Sequence, residues 1–294
     1  MQDDEFMHSA AVQLFEEYRE NNDGSIDRAL SETIQVIALL GLSRTDFFTH
    51  SSFYGGTALR LLHGLDRFSE DLDFSLIRPL GTFGLKQYFQ ALTDELESYG
   101  FSVDLTERRK SHDTTVESAF IKANTRIHVL EAGIPTGIAE TIHRNAVCKV
   151  KLEIDVDPPP GAEHEVAFID DPIPFSLQSY SGPALFAGKM DAVLSRGWRT
   201  RVKGRDWYDF AFLVRKRVPL LVSHLEARLR QKGAYSSDAT LTEERLRQLI
   251  GERIDAVDID AAKTEVLPFV RRPADLDVWS KEYFRHVLRN MLIV

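Results

Sequence analysis

Residues 147–157, VCKVKLEIDVD, alternate apolar and polar side chains from Cys148 on and stop against Pro158, Pro159 and Pro160. A period of two is the mark of a strand, and three prolines cannot continue its ladder. Leu152, Ile154 and Val156 then share one face, and Lys151, Glu153, Asp155 and Asp157 share the other. Such a strand needs a sheet packed on one side only. Its polar side sets three carboxylates in a row. Residues 71–76, DLDFSL, pose the same problem, because Asp71 and Asp73 point the same way beside Leu72, Phe74 and Leu76. Two residues along a strand are about 6.6 Å apart, so the two charges repel unless a cation sits between them.

The rest of the chain bounds what that cation can be. The single cysteine, Cys148, excludes an internal disulfide and a thiolate zinc cluster. The nine histidines are scattered, with no pair at a helical metal spacing beside a third ligand. Carboxylates alone suit a hard ion such as Mg²⁺ or Mn²⁺, or two metals about 3.5–4 Å apart that clamp a phosphoryl group. The N-terminus MQDDEF is acidic and no apolar run approaches a membrane span, so the expectation is a cytoplasmic protein without a membrane partner.

A net charge of −9 argues against non-specific coating of nucleic acid. Residues 196–232 are the exception, with eleven Lys and Arg against three Asp and Glu. That local excess fits an anion site or a solvated helix face.

Hydrophobic periodicity organises 294 residues into an α/β front half and a helical back half. Helices are expected over residues 11–20 and 25–42, with Ser25 or Asp27 as cap. Residues 47–54 read as a strand ending at Gly55-Gly56, followed by a helix over 57–63 that Gly64 stops. An amphipathic helix over 85–99 closes at Gly100, a strand follows over 101–106, and 116–130 read as a strand pair. After a short strand over 165–169, the Pro-rich stretch DDPIPFSLQSYSGP marks a boundary, giving domains 1–176 and 177–294. Helices then fill 183–196, 205–216 and several segments from 222 on. Trp207, Tyr208, Phe210 and Phe212 are expected in the core, whereas Trp198 is the candidate for stacking on a base.

Gly55-Gly56-Thr57 stands where a strand gives way to a helix. Glycines let the backbone approach a phosphate, the first helical N–H groups point at it, and Thr57 could add a hydroxyl. Lys189, on its helix, can reach a triphosphate as a mobile point charge. Arg196 follows two turns later on the same face. Asp206 and Asp209 lie one turn apart beside Arg205, either as a local ion pair that orients the helix or with a direct role in nucleotide chemistry.

These motifs, in this order, resemble the nucleotidyltransferases of the AbiEii toxin type, within the DNA polymerase β-like superfamily. The resemblance covers residues 50–215: Gly55 to Arg60, Arg67 to Phe74, Lys151 to Ile154, Lys189 to Arg196, and Arg205 to Asp209. It implies an α+β fold in which a polymerase β-like nucleotidyltransferase core, a mixed sheet with flanking helices, precedes a helical C-terminal domain. It implies that Asp71, Asp73 and Glu153 or Asp155 hold the metal, with Glu153 at the better-fitting position. Gly55, Gly56, Thr57, Arg60, Ser69, Lys189 and Arg196 would bind the NTP, and Lys189, Asp206 and Asp209 would join the acids in catalysis. It further implies a toxin that transfers NMP to the 3′ end of tRNA, with a separate winged-helix antitoxin. Transfer to a small molecule or a protein hydroxyl, or silent nucleotide binding, are the alternatives the same residues allow.

Overall fold

The computed structural model describes residues 2–107, 116–124, 147–196, 202–236 and 238–294. Its strands are β1 (Ser51–Tyr54), β2 (Asp71–Leu76), β3 (Val103–Glu107), β4 (Val116–Asn124), β5 (Val147–Asp155), β6 (His164–Ile169) and β7 (Phe175–Tyr180). They form one mixed sheet in the order β3-β4-β5-β2-β1-β7-β6. Strand β2 runs antiparallel to β1 and parallel to β5, and β4 is antiparallel to β3 and β5. The chain divides into two compact units.

The first unit comprises Met1–Leu62, Phe68–Pro158 and Val166–Ser179. Phe53, Leu72, Phe74, Leu152 and Ile154 are fully buried on one face of its sheet, as the alternation requires. Helix Ile26–Ser43 packs on β5 and on helix Phe89–Ser98. Its buried Gln35 amide donates to the carbonyls of Ser69 (3.1 Å) and Glu70 (2.9 Å), tying this helix to the segment that enters β2. Ser25 occupies the N-cap position of that helix, but its side chain makes no capping bond. Gly100 at φ +84° closes helix Phe89–Ser98, with Phe101 N–H donating to Leu96 carbonyl at 2.9 Å.

Two local expectations change. Residues 47–50 form a helical turn, Phe47–His50, and the strand begins only at Ser51. Phe47 is buried edge-on against Phe74 and Tyr88, with ring centroids 4.9 and 5.0 Å apart. The Ser51 hydroxyl closes that turn on Phe47 carbonyl at 2.8 Å. The Pro-rich stretch contains β7, whose Phe175, Leu177 and Ser179 are buried and which runs parallel to β1. Of the strand pair expected over 116–130, β4 is the first member; residues 125–130 lie outside the described residues, as do Trp198, Arg199 and Arg201.

The second unit comprises His63–Arg67, Pro159–Glu165 and Tyr180–Val294. Its helices are Gly182–Ser195, Gly204–Arg215, Val222–Gln231, Glu243–Ala256, Ile259–Val266 and Lys281–Arg289. Trp207, Phe210 and Phe284 are fully buried at its centre, so the aromatics of 207–212 are core. Gly204 lets two helices touch, because a Cβ there would overlap the Ala262 carbonyl. Among the described residues no helix is long and apolar enough to cross a membrane.

Candidate active site

Register decides which acids meet. Across the parallel β2–β5 pair, Asp71 faces Lys151, Asp73 faces Glu153, and Ser75 faces Asp155. Paired residues share a face, so Glu153 is the neighbour of Asp73, and Asp155 sits one pair further along. The Asp155 carboxylate accepts the Asp157 N–H at 3.1 Å, closing the end of the strand. Glu153 accepts from the Ser118 hydroxyl at 3.2 Å and forms an ion pair with Lys151 at 2.6 Å. Lys151 thus supplies a cation on the polar face of the sheet. Among the described residues no three acidic, histidine or cysteine side chains already stand as a metal cage.

The glycine turn is built against Asp73. Gly55 begins helix Gly55–His63 at φ +87°, a region L side chains rarely adopt. A Cβ at this position would overlap the Asp73 carboxylate and come within 2.8 Å of its Cβ. Backbone and carboxylate therefore touch only because residue 55 has no side chain. The Thr57 hydroxyl, fully buried, donates to Asp71 carbonyl at 2.5 Å and so fastens the helix start to β2. Arg60 pairs with buried Glu32 and donates to Asn22 at 3.2 Å. Ser69 lies buried on the chain entering β2. The turn and the two aspartates form one assembly, whereas Arg60 is engaged with Glu32.

In the second unit, Asp209 is completely buried and holds two cations. Arg67 donates to both of its oxygens, at 2.7 and 2.6 Å, and Lys189 approaches at 2.8 Å. Burial alone would push the Asp209 carboxyl up, but the charges of Arg67 and then Lys189 outweigh it and hold it below the ordinary range. Burial drives Asp206 the other way, upward, despite the Arg196 guanidinium 2.9 Å from it. Arg205 pairs with Glu265 at 3.3 Å. Arg205 and the two aspartates thus each hold a longer-range partner: Glu265 for Arg205, Arg196 for Asp206, and Arg67 and Lys189 for Asp209. Arg196 falls just past the end of helix Gly182–Ser195, where the chain turns extended, and not on a shared face with Lys189.

Sequence reasoning assigned no role to Arg67, Lys151 or Glu32. The alternation did place Lys151 beside Glu153, two residues apart on one face. Nothing local pointed from Arg67 to Asp209, which lie 142 positions apart.

A sequence model of the family described as "Nucleotidyl transferase AbiEii toxin, Type IV TA system" matches residues 37–290. Two solved structures, both from Helicobacter pylori, are similar in outline. One, provisionally described as a nucleotidyltransferase, is 20% identical with a TM-score of 0.49, over 90% of this chain and 92% of that one. The other, JHP933, is 18% identical with a TM-score of 0.47, over 90% and 89%. No curated protein matches the chain.

Proposed function

Because this chain belongs to the AbiEii family, the nucleotidyltransferase toxins of type IV toxin–antitoxin systems, we propose that it moves NMP from an NTP to the 3′ end of tRNA, releasing pyrophosphate. The observation that carries this reading is the fit of the side-chain-free Gly55 turn against Asp73, with Glu153 beside Asp73 in register. The donor set is all carboxylate oxygen, which suits a hard divalent cation. Asp71, Asp73 and Glu153 would hold Mg²⁺ or Mn²⁺, which when bound polarises phosphoryl oxygens and acidifies the attacking hydroxyl.

The Gly55-Gly56 turn brings the first N–H groups of its helix to the triphosphate. Lys189 adds a compact positive charge, and Asp209 orients it while leaving ammonium protons for phosphate. Residues 1–176 carry the acids and the glycine turn, and 177–294 carry Lys189. The toxin works in the cytoplasm, where NTP and tRNA are found, opposed by a winged-helix antitoxin on a separate chain.

Incubating the purified protein with Mg²⁺, each labelled NTP and total tRNA tests this directly. Label is expected in tRNA, and chelation of the metal should stop it. Asp71→Ala and Asp73→Ala should abolish transfer with the fold intact, since each removes a charge that repels its neighbour. Label found only in protein or small molecules would overturn the acceptor. Near-wild-type turnover in either variant would overturn the metal site.

A further inference from the structure

Strand β6 ends the sheet on one side, and among the described residues no strand lies beyond it. An edge strand turns a row of N–H and C=O groups outward, a template on which another chain can pair. The side chains of β6 divide by face. Ala167 and Ile169 are half-buried, whereas Val166 is 60% and Phe168 73% exposed, the latter more than any other large hydrophobic side chain among the described residues. The neighbouring strands show which face this is. Phe53 of β1 pairs with Ser179 of β7, so Leu177 and Phe175 continue the buried face. Ser176 and Gln178 then lie on the opposite face, with Tyr54 and Asp73. Ala167 and Ile169 follow the buried residues of β7, and Val166 and Phe168 stand on the polar face.

Core packing does not account for two exposed apolar side chains on a polar face. Protection of the edge would place charge in the strand, whereas here the charge flanks it. Asp170 and Asp171, both exposed, follow Ile169 directly, and residues 152–188 contain seven Asp and Glu without one Lys or Arg. Two copies of this chain would bring these acids together, each copy carrying −9 overall, so charge opposes self-pairing. RNA phosphates are repelled in the same way. A segment with apolar residues at alternate positions and Lys or Arg beside them matches both the side chains and the charge. We propose that the edge of β6 takes up an extended, basic segment of a partner protein as an added strand. Apolar side chains of that segment cover Val166 and Phe168, and its cations meet Asp170 and Asp171.

The probe is a synthetic peptide of alternating valine and threonine with paired arginines at each end, titrated into the full chain by fluorescence anisotropy. Saturable binding is expected. Every second residue of an added strand faces the edge, so of the two peptides methylated on alternate backbone nitrogens, one should lose binding. Phe168→Ser, at an exposed site, should weaken binding roughly ten-fold, the scale of an aromatic anchor. Asp170→Asn combined with Asp171→Asn should weaken it roughly three-fold and reduce its salt dependence. Glutamates in place of the arginines should abolish it. Absence of saturable binding, both methylated peptides binding like the parent, or equal affinity in wild type and Phe168→Ser overturns the proposal. Dimerisation of the chain, or binding of single-stranded RNA, that Phe168→Ser abolishes overturns it too, by giving the edge a different occupant. The titration contains neither NTP nor metal, so its result is independent of the transfer assay.

Discussion

Asp206 and Asp209 lie three positions apart on helix Gly204–Arg215, both buried, with different partners. Asp209 is paired twice and its carboxyl is lowered, so its contribution to stability is present at neutral pH and is lost only as pH falls through that lowered value. Asp206 is raised by burial, so its contribution is greatest in acid and declines as pH rises through the raised value. Breaking one member of a buried pair leaves an uncompensated charge, typically at a cost of about 3–5 kcal/mol. Asp209→Asn should therefore destabilise by that order at pH 7, and by progressively less in acid. Asp206→Asn should cost far less at pH 7. Urea unfolding of both variants across this pH range measures the difference, and equal losses would contradict the assignment. Lys189 loses its orienting partner in Asp209→Asn, so NTP affinity should fall in that variant and hold in Asp206→Asn.

At the scale of elements, the β1–helix turn and β2 are one device. Gly55→Ala would force a left-handed backbone on a side chain, costing roughly 1–2 kcal/mol, and would drive Asp73 from its place. The expected result is a lower melting temperature together with loss of nucleotidyl transfer. Retention of full transfer would show that the turn and Asp73 act separately. Strand β2 was legible residue for residue, because a short alternating run between turn signals has one reading. Residues 47–50 were not, since Phe47 and Phe48 suit strand and helix alike, and burial of Phe47 among Phe74 and Tyr88 chose the helical turn. The flanking prolines of β7 masked a strand whose parallel partner, β1, precedes it by more than a hundred residues.

Across the whole molecule, charge is the feature that separates RNA from other acceptors. The net charge is −9, yet residues 196–232 are strongly basic. Neutralising Arg199, Arg201 and Lys203 together should weaken tRNA binding and flatten its salt dependence. For every phosphate no longer neutralised, the slope of log K against log[salt] should become shallower by roughly 0.7–0.9. NTP affinity should change much less, because Lys189 and the glycine turn remain. An unaltered salt slope would remove the segment from the RNA interface. The sequence alone determined the order of motifs, the polar and apolar faces of β2 and β5, and the family, because periodicity and spacing are local properties of the chain. Pairings between distant residues needed the tertiary structure. Register, not composition, set Glu153 rather than Asp155 beside Asp73, and burial joined Arg67 and Lys189 to Asp209. A carboxylate taken out of water must find cations wherever the fold supplies them, and no local pattern records where that will be.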